Sequence, residues 1–277
     1  MANSEVSAGS IWGPGFIGMT VGLALYGVTI GQYLYYISTF PNDKRLIKYA
    51  VLLVFVLDTL GTITLISFFC RELIFCRWQT SYACTVEMPW DLSVTLATTS
   101  LAAFFVQCFY AHRVWIIGER NKLLTGAVLI AALVQLVFGF ALLEATRHTG
   151  SMATLFNSPY APVNAMGSAI CDTIITASVF LYLRRSQFRI LRKENYIHKL
   201  NLVFVQMGLI TCSTALATAV LYYSDQLTGQ YLTVAPAFIL SKAYSNSMLA
   251  VLNARKLVCC DHQRHASLEL PTLSSIH

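Results

Sequence analysis

The chain has 277 residues, of which 56% are apolar and only 12% charged. A soluble domain carries about twice that share of charge, and here the charge is clustered, leaving long stretches almost bare; an ordinary soluble protein is excluded. The net charge of +6 calls for no nucleic-acid partner, because Lys and Arg collect in the cytoplasmic loops of membrane proteins.

The predicted elements are seven apolar segments, at 13–37, 46–69, 89–116, 123–143, 162–183, 199–223 and 231–253. Each meets the ~20 residues that a helix needs to cross a hydrocarbon core of ~30 Å. Strands would require a two-residue alternation and a closed barrel, so the expected fold is all-α, a seven-transmembrane-helix bundle. Residues 1–12 form a short outer tail without Lys or Arg. The positive start of a signal peptide is therefore missing, and the first segment is expected to remain as a membrane helix. In that segment Gly18 and Gly22, then Gly27 and Gly31, repeat at small-xxx-small spacing, which allows close helix packing within the chain. Between the second and third segments come Cys70, Cys76 and Cys84. On an oxidising side of the membrane, one disulfide among them is expected, with its connectivity open. The third segment is long and is expected to tilt or project beyond the bilayer. Beyond 253, residues 254–277 make a polar tail in which Cys259 and Cys260 are juxtamembrane candidates for palmitoylation.

Orientation follows from the loops. The first, third and fifth loops and the carboxyl-terminal tail hold fifteen Lys and Arg, against three on the other side, Arg71, Arg77 and Arg147. By the positive-inside rule the amino terminus lies outside and the carboxyl terminus in the cytoplasm. Trp12, Trp78, Trp90 and Trp115 fall at or near segment ends, where indole prefers the interface. The most basic stretch, 184–199, is expected to face anionic lipids, with a cytoplasmic protein partner as the alternative.

The order of motifs is also informative. GPGFIG at 13–18, LYG at 25–27, FPNDKR at 40–45 and LDT at 57–59 are followed by AHRVW at 111–115, Asp172, and SKAYSNSMLAVLNAR at 241–255. This series resembles a family of uncharacterised seven-span membrane proteins abundant in basidiomycete fungi, catalogued as a domain of unknown function. The resemblance runs over nearly the whole chain and is most specific in the last segment. It implies a topology and no activity. The family's usual Thr-Asp before the sixth span is Glu194-Asn195 here.

Charges within spans are expensive and mark candidate sites. Three occur at mid-segment: Asp58, Asp172 and Lys242. Counted from the cytoplasmic ends of their segments, all three lie roughly 16–18 Å deep at 1.5 Å per residue. They form an expected polar layer in which Lys242 can pair with either carboxylate. Asn246 belongs to the same layer, and Lys242, Asn246 and Asn253, with Ser245 beside them, share one helix face. That face reads as a structural polar lock, an ion or proton relay, or a ligand site. A retinal Schiff base is disfavoured: microbial rhodopsins carry Asp four residues before their lysine, and Phe238 stands there. The third segment ends in AHRVW and the seventh lacks Asn-Pro-x-x-Tyr, so the signatures of G-protein-coupled receptors are absent too.

No nucleophile–base pair, phosphate loop or zinc motif occurs, so neither enzymatic activity nor a cofactor nor a metal is expected. The functional expectation is a multi-pass protein of the plasma membrane, receptor-like, with a buried polar pocket. A small-solute or proton transporter and a membrane-organising protein without ligand are the alternatives.

Overall fold

A computed structural model describes the backbone of residues 8–76, 87–118, 120–152, 154–187, 194–222 and 231–268. Within these stretches, the side chains of 8–11, 117, 182–207 and 257–268 are not described. The described residues are helical throughout, apart from short connections. The helices are α1 (Ala8–Thr39), α2 (Arg45–Cys70), α3 (Trp90–Ile117), α4 (Lys122–Thr149), the short α5 (Thr154–Asn157), α6 (Tyr160–Gln187), α7 (Glu194–Tyr222) and α8 (Val234–Leu268). A π-helical turn, Arg71–Phe75, prolongs α2. The extended backbone is limited to a single bridge, Glu87 to Ser151, among the described residues.

Local chemistry explains the ends of α4. Asn121 caps its start, its side chain accepting from the backbone N–H groups of Leu123 and Leu124. Gly150 closes it in the left-handed conformation, φ 62°, which costs a residue without a Cβ nothing. The Met88 N–H then donates to the Gly150 carbonyl, 2.9 Å, tying the approach to α3 onto the end of α4.

Five helices are long and apolar enough to cross a membrane, within Trp12–Thr39, Arg45–Phe75, Trp90–Ile116, Lys122–Thr149 and Tyr160–Leu181. The chain is thus built as a multi-pass membrane protein, and large apolar side chains such as Ile17, Leu34, Ile63, Ile130 and Leu181 face outward from its helices. In the expected seventh segment, hydropathy is lowered by Ser241, Lys242, Ser245, Asn246 and Ser247. All of these are buried against neighbouring helices. In α7 the apolar described stretch shortens to Gly208–Tyr222. α8 also continues to Leu268, through much of the segment expected as a tail.

α8 occupies the middle of the bundle, and every residue from Ser241 to Leu249 is buried. It packs on α1 and α7 most extensively, and also on α3 and α2. The principal core, which includes Val106, Tyr110, Val128, Ile175, Tyr244 and Met248, gathers about it. A second cluster, Leu65, Phe68, Phe69 and Leu92, fills the end where α2 finishes and α3 begins.

α1 and α8 run parallel and in register. The Asn246 side chain donates to the Leu25 carbonyl, 3.0 Å, and that of Asn253 to the Gln32 carbonyl, 2.9 Å. Both bonds span the same sequence separation, 221 residues. Close approach is possible because Gly18 faces the α8 backbone: a Cβ there would stand 2.7 Å from the Ala235 Cα.

Candidate functional site

Successive residues of a helix are turned by about 100°, so Lys242 and Tyr244 point to nearly opposite sides of α8. Each anchors a buried polar cluster of its own.

On the α1/α2 side, Lys242 Nζ donates to Asp58 Oδ1 at 2.7 Å, to the Asp58 carbonyl at 3.0 Å and to Thr62 Oγ1 at 2.5 Å. All three donor hydrogens are used. The side chains of Lys242 and Asp58 are 5% and 0% exposed, so this is a fully desolvated ion pair. Such a pair is stabilised to the extent that hydrogen bonds satisfy the groups around it. Among the described residues the second carboxylate oxygen, Asp58 Oδ2, has no hydrogen-bond partner, nor has the buried Ser245 hydroxyl, and the Thr29 hydroxyl donates to the Leu25 carbonyl at 3.1 Å. The Tyr26 ring adds a cation–π contact, with Nζ 5.3 Å from its centroid, and its hydroxyl is fixed on Thr59 Oγ1 at 3.0 Å. Gly22 lies beside the lysine stem, where a Cβ would be in ordinary contact with Lys242 Cγ at 3.7 Å.

On the opposite side, the Tyr244 hydroxyl donates to Asp172 Oδ2 at 2.8 Å. With that hydrogen committed, the 2.7 Å contact between Ser168 Oγ and the Tyr244 oxygen has Ser168 as donor. Gln107 Nε2 approaches the same oxygen at 3.4 Å. One turn further on, Tyr110 donates to Ser247 Oγ at 2.7 Å. Asp58 and Lys242 are therefore brought together, while Asp172 belongs to the Tyr244 cluster across the helix. Asn246 and Asn253 bind the α1 backbone, and Ser245 is buried with its hydroxyl unpartnered.

Above the Tyr244 cluster lies a cavity of about 590 Å³. It opens among the amino-terminal ends of α1, α3, α6 and α8 and the carboxyl-terminal ends of α2, α4 and α7. One wall is a chain of aromatic rings. Trp12 to Phe68, Phe68 to Phe69 and Phe69 to Phe238 are spaced at 6.4, 5.2 and 6.1 Å. The facing wall holds Ser100, Gln135, Asn164 and Ser168, and among the described residues the lining contains no charged side chain. Asp58, Asp172 and Lys242 do not line it.

At the other end of α8, Arg255 Nη2 donates to Asp43 Oδ2 at 2.6 Å, and Nη1 reaches Oδ1 at 3.4 Å. The guanidinium lies over the Phe40 ring, 4.5 Å from its centroid. The Tyr36 hydroxyl donates to the same carboxylate at 3.0 Å.

The remaining candidates separate. Cys70 is a free thiol, whereas Cys76 is disulfide-bonded to a residue outside the described ones. Cys84 itself also lies outside them, as do the side chains of Cys259 and Cys260 and those of the basic stretch 184–199. Among the described residues, no cluster of His, Cys, Asp and Glu is placed to hold a metal ion. Sequence reasoning missed Tyr244, Ser168, Gln107, Gln135, Asn164 and the Asp43–Arg255 pair. The isolated amides at 107, 135 and 164, each set in an apolar segment, were the available signal for three of them.

Residues 168–257 match the family described as "Family of unknown function (DUF6534)". That stretch contains Ser168, Asp172, Lys242, Tyr244 and Arg255, one or more members of every cluster above. No curated protein and no solved structure matches the chain.

Proposed function

We propose that the chain is a seven-span, receptor-like sensor of the plasma membrane, amino terminus outside, in which α8 carries the state of the cavity to the cytoplasmic side. Seven helices of 26 residues or more support the count. The parallel course of α1 and α8 supports an odd number of crossings, and the bias of Lys and Arg supports the orientation. The observation that carries the sensor reading is the position of α8. Val234, Ala237, Phe238 and Tyr244 line the cavity, and about 16 Å further along the same helix Arg255 grips Asp43. A packed helix transmits displacement because interiors are close-packed and compress little. In this reading the basic stretch 184–199 meets anionic lipids or a cytoplasmic partner beside that end.

A transporter would place its charges along a solute path. The Lys242–Asp58 pair is buried and does not line the cavity, so the sensor reading takes precedence.

An internal surrogate for a ligand tests it. Ala237→Phe puts a ring into the cavity from α8 itself. With spin labels at Leu46 and Lys256, both exposed, the distance distribution between the two should shift in this variant relative to the parent. An unchanged distribution in a folded Ala237→Phe protein would contradict transmission through α8.

A further inference from the structure

We infer that the cavity binds an uncharged lipophilic molecule bearing a single hydroxyl, with the hydroxyl against Gln135, Asn164 and Ser168 and the apolar body along the aromatic wall. This deepens the sensor reading and rests on it only for what binding does next.

Size comes first. A volume of about 590 Å³ falls within the ~300–1,000 Å³ of small-molecule sites. Charge comes second. Among the described residues the lining has no charged side chain to compensate a carboxylate, phosphate or ammonium, and an unpaired charge in such a place is strongly disfavoured. Asp172 lies behind Tyr244 and already accepts its hydroxyl hydrogen, and Asp91, next to the lining residue Leu92, is paired with Arg71.

Hydroxyls of Thr95, Thr99, Thr218 and Thr233 are spread over the lining, whereas two of its amides, Gln135 and Asn164, carry unpaired oxygens. Gln135 is 6% exposed, and its Oε1 has no hydrogen-bond partner; Asn164 Oδ1 has none either. Buried acceptors left unpaired destabilise a fold, and a donor placed among them removes that cost. Ser168 has spent its hydrogen on Tyr244 and keeps lone pairs to accept with. Gly139 holds this corner together: from the site of its absent Cβ, Ser100 Oγ would be 2.6 Å away and Asn164 Oδ1 3.7 Å. Two carboxamides and a serine oxygen offer neutral acceptors with amide donors beside them, and a hydroxyl, which donates and accepts without a charge, matches such a corner. Opposite them, the rings of Phe68, Phe69 and Phe238 offer only apolar surface.

Photocrosslinking of the full chain in nanodiscs tests this, with a dodecan-1-ol carrying a mid-chain diazirine as the probe. Mass spectrometry should place the crosslinks on peptides containing Phe69 and Phe238. Unlabelled dodecan-1-ol should compete, while dodecanoate and dodecylammonium should compete at least tenfold less well. In the Gln135→Leu/Asn164→Leu variant, labelling should fall about fivefold, the loss expected for one hydrogen bond. Competition on the unsubstituted protein keeps the test decisive if that variant does not fold. Equal competition by all three compounds, or labelling spread over the lipid-facing helix surfaces, would overturn the inference and mark the cavity as filled by bilayer chains. Stronger competition by a charged compound would overturn it as well. Because crosslinking reads binding alone, a labelled cavity with no movement at Lys256 would leave the ligand class standing and remove the sensor reading.

Discussion

At the scale of single residues, the chain spends its buried charge sparingly and gives Lys242 a direct counter-charge. Lys242 is enclosed by Asp58, Thr62 and the Tyr26 ring, and Asp172 is approached by a hydroxyl instead of a cation. Asp43 lies nearer the surface and is accessible to titration. Burial pushes its carboxyl up, but the Arg255 hydrogen bond and charge, the Tyr36 hydroxyl and the Lys44 N–H together hold it below its ordinary value of 3.8. A carboxyl held lower in the folded state contributes stability above its unfolded value and loses it as pH falls through the folded one. Thermal stability of the purified protein should therefore drop as pH falls below about 4, and Asp43→Asn should flatten that drop. At neutral pH the variant should lose about 1–2 kcal/mol. Superimposable pH profiles for the two proteins would show that the pair contributes nothing.

At the scale of elements, the α1–α8 contact shows what the sequence could and could not disclose. Four of the seven glycines of α1, Gly18 with Gly22 and Gly27 with Gly31, form two small-xxx-small pairs, and nothing in the spacing ranks them. In the structure Gly18 meets the Ala235 backbone and Gly22 the Lys242 stem, whereas a Cβ at Gly27 or Gly31 would meet nothing within 4 Å. Gly18→Val should therefore cost about 1–3 kcal/mol through overpacking. Gly27→Val should stay within about 0.5 kcal/mol of the parent. Comparable losses at the two positions, read by thermal unfolding in the same detergent, would contradict the assigned face. Helix identities were legible because runs of about 20 apolar residues have one reading in lipid. The polar face of α8 was legible from its spacing, since Lys242, Asn246 and Asn253 recur at helical intervals. Tyr244 was not: it falls between those positions, and an aromatic residue in an apolar run does not announce a hydroxyl's partner on another helix.

At the scale of the whole molecule, three motifs of the first two helices and the loop between them converge on α8. LYG supplies the Leu25 carbonyl, LDT supplies Asp58 and FPNDKR supplies Asp43, each to a different residue of SKAYSNSMLAVLNAR. Equal depth in the membrane made Asp58 and Asp172 equivalent partners for Lys242 on sequence grounds. Depth is a single coordinate, and the rotational position of α2 and α6 about α8 decides between them. The cavity was illegible for a related reason, being lined from seven helices and the segment around α5. Global stability reads directly whether α8 is keyed to α2, through a double-mutant cycle on Lys242→Met and Asp58→Asn, with Lys242→Met and Asp172→Asn as the parallel cycle. Removing one partner of a buried pair costs about 3–5 kcal/mol, so the Asp58 cycle should show a coupling of about 2 kcal/mol or more. The Asp172 cycle should be additive within about 0.5 kcal/mol. Additive losses in the Asp58 cycle, or the larger coupling to Asp172, would contradict the arrangement of the bundle about α8.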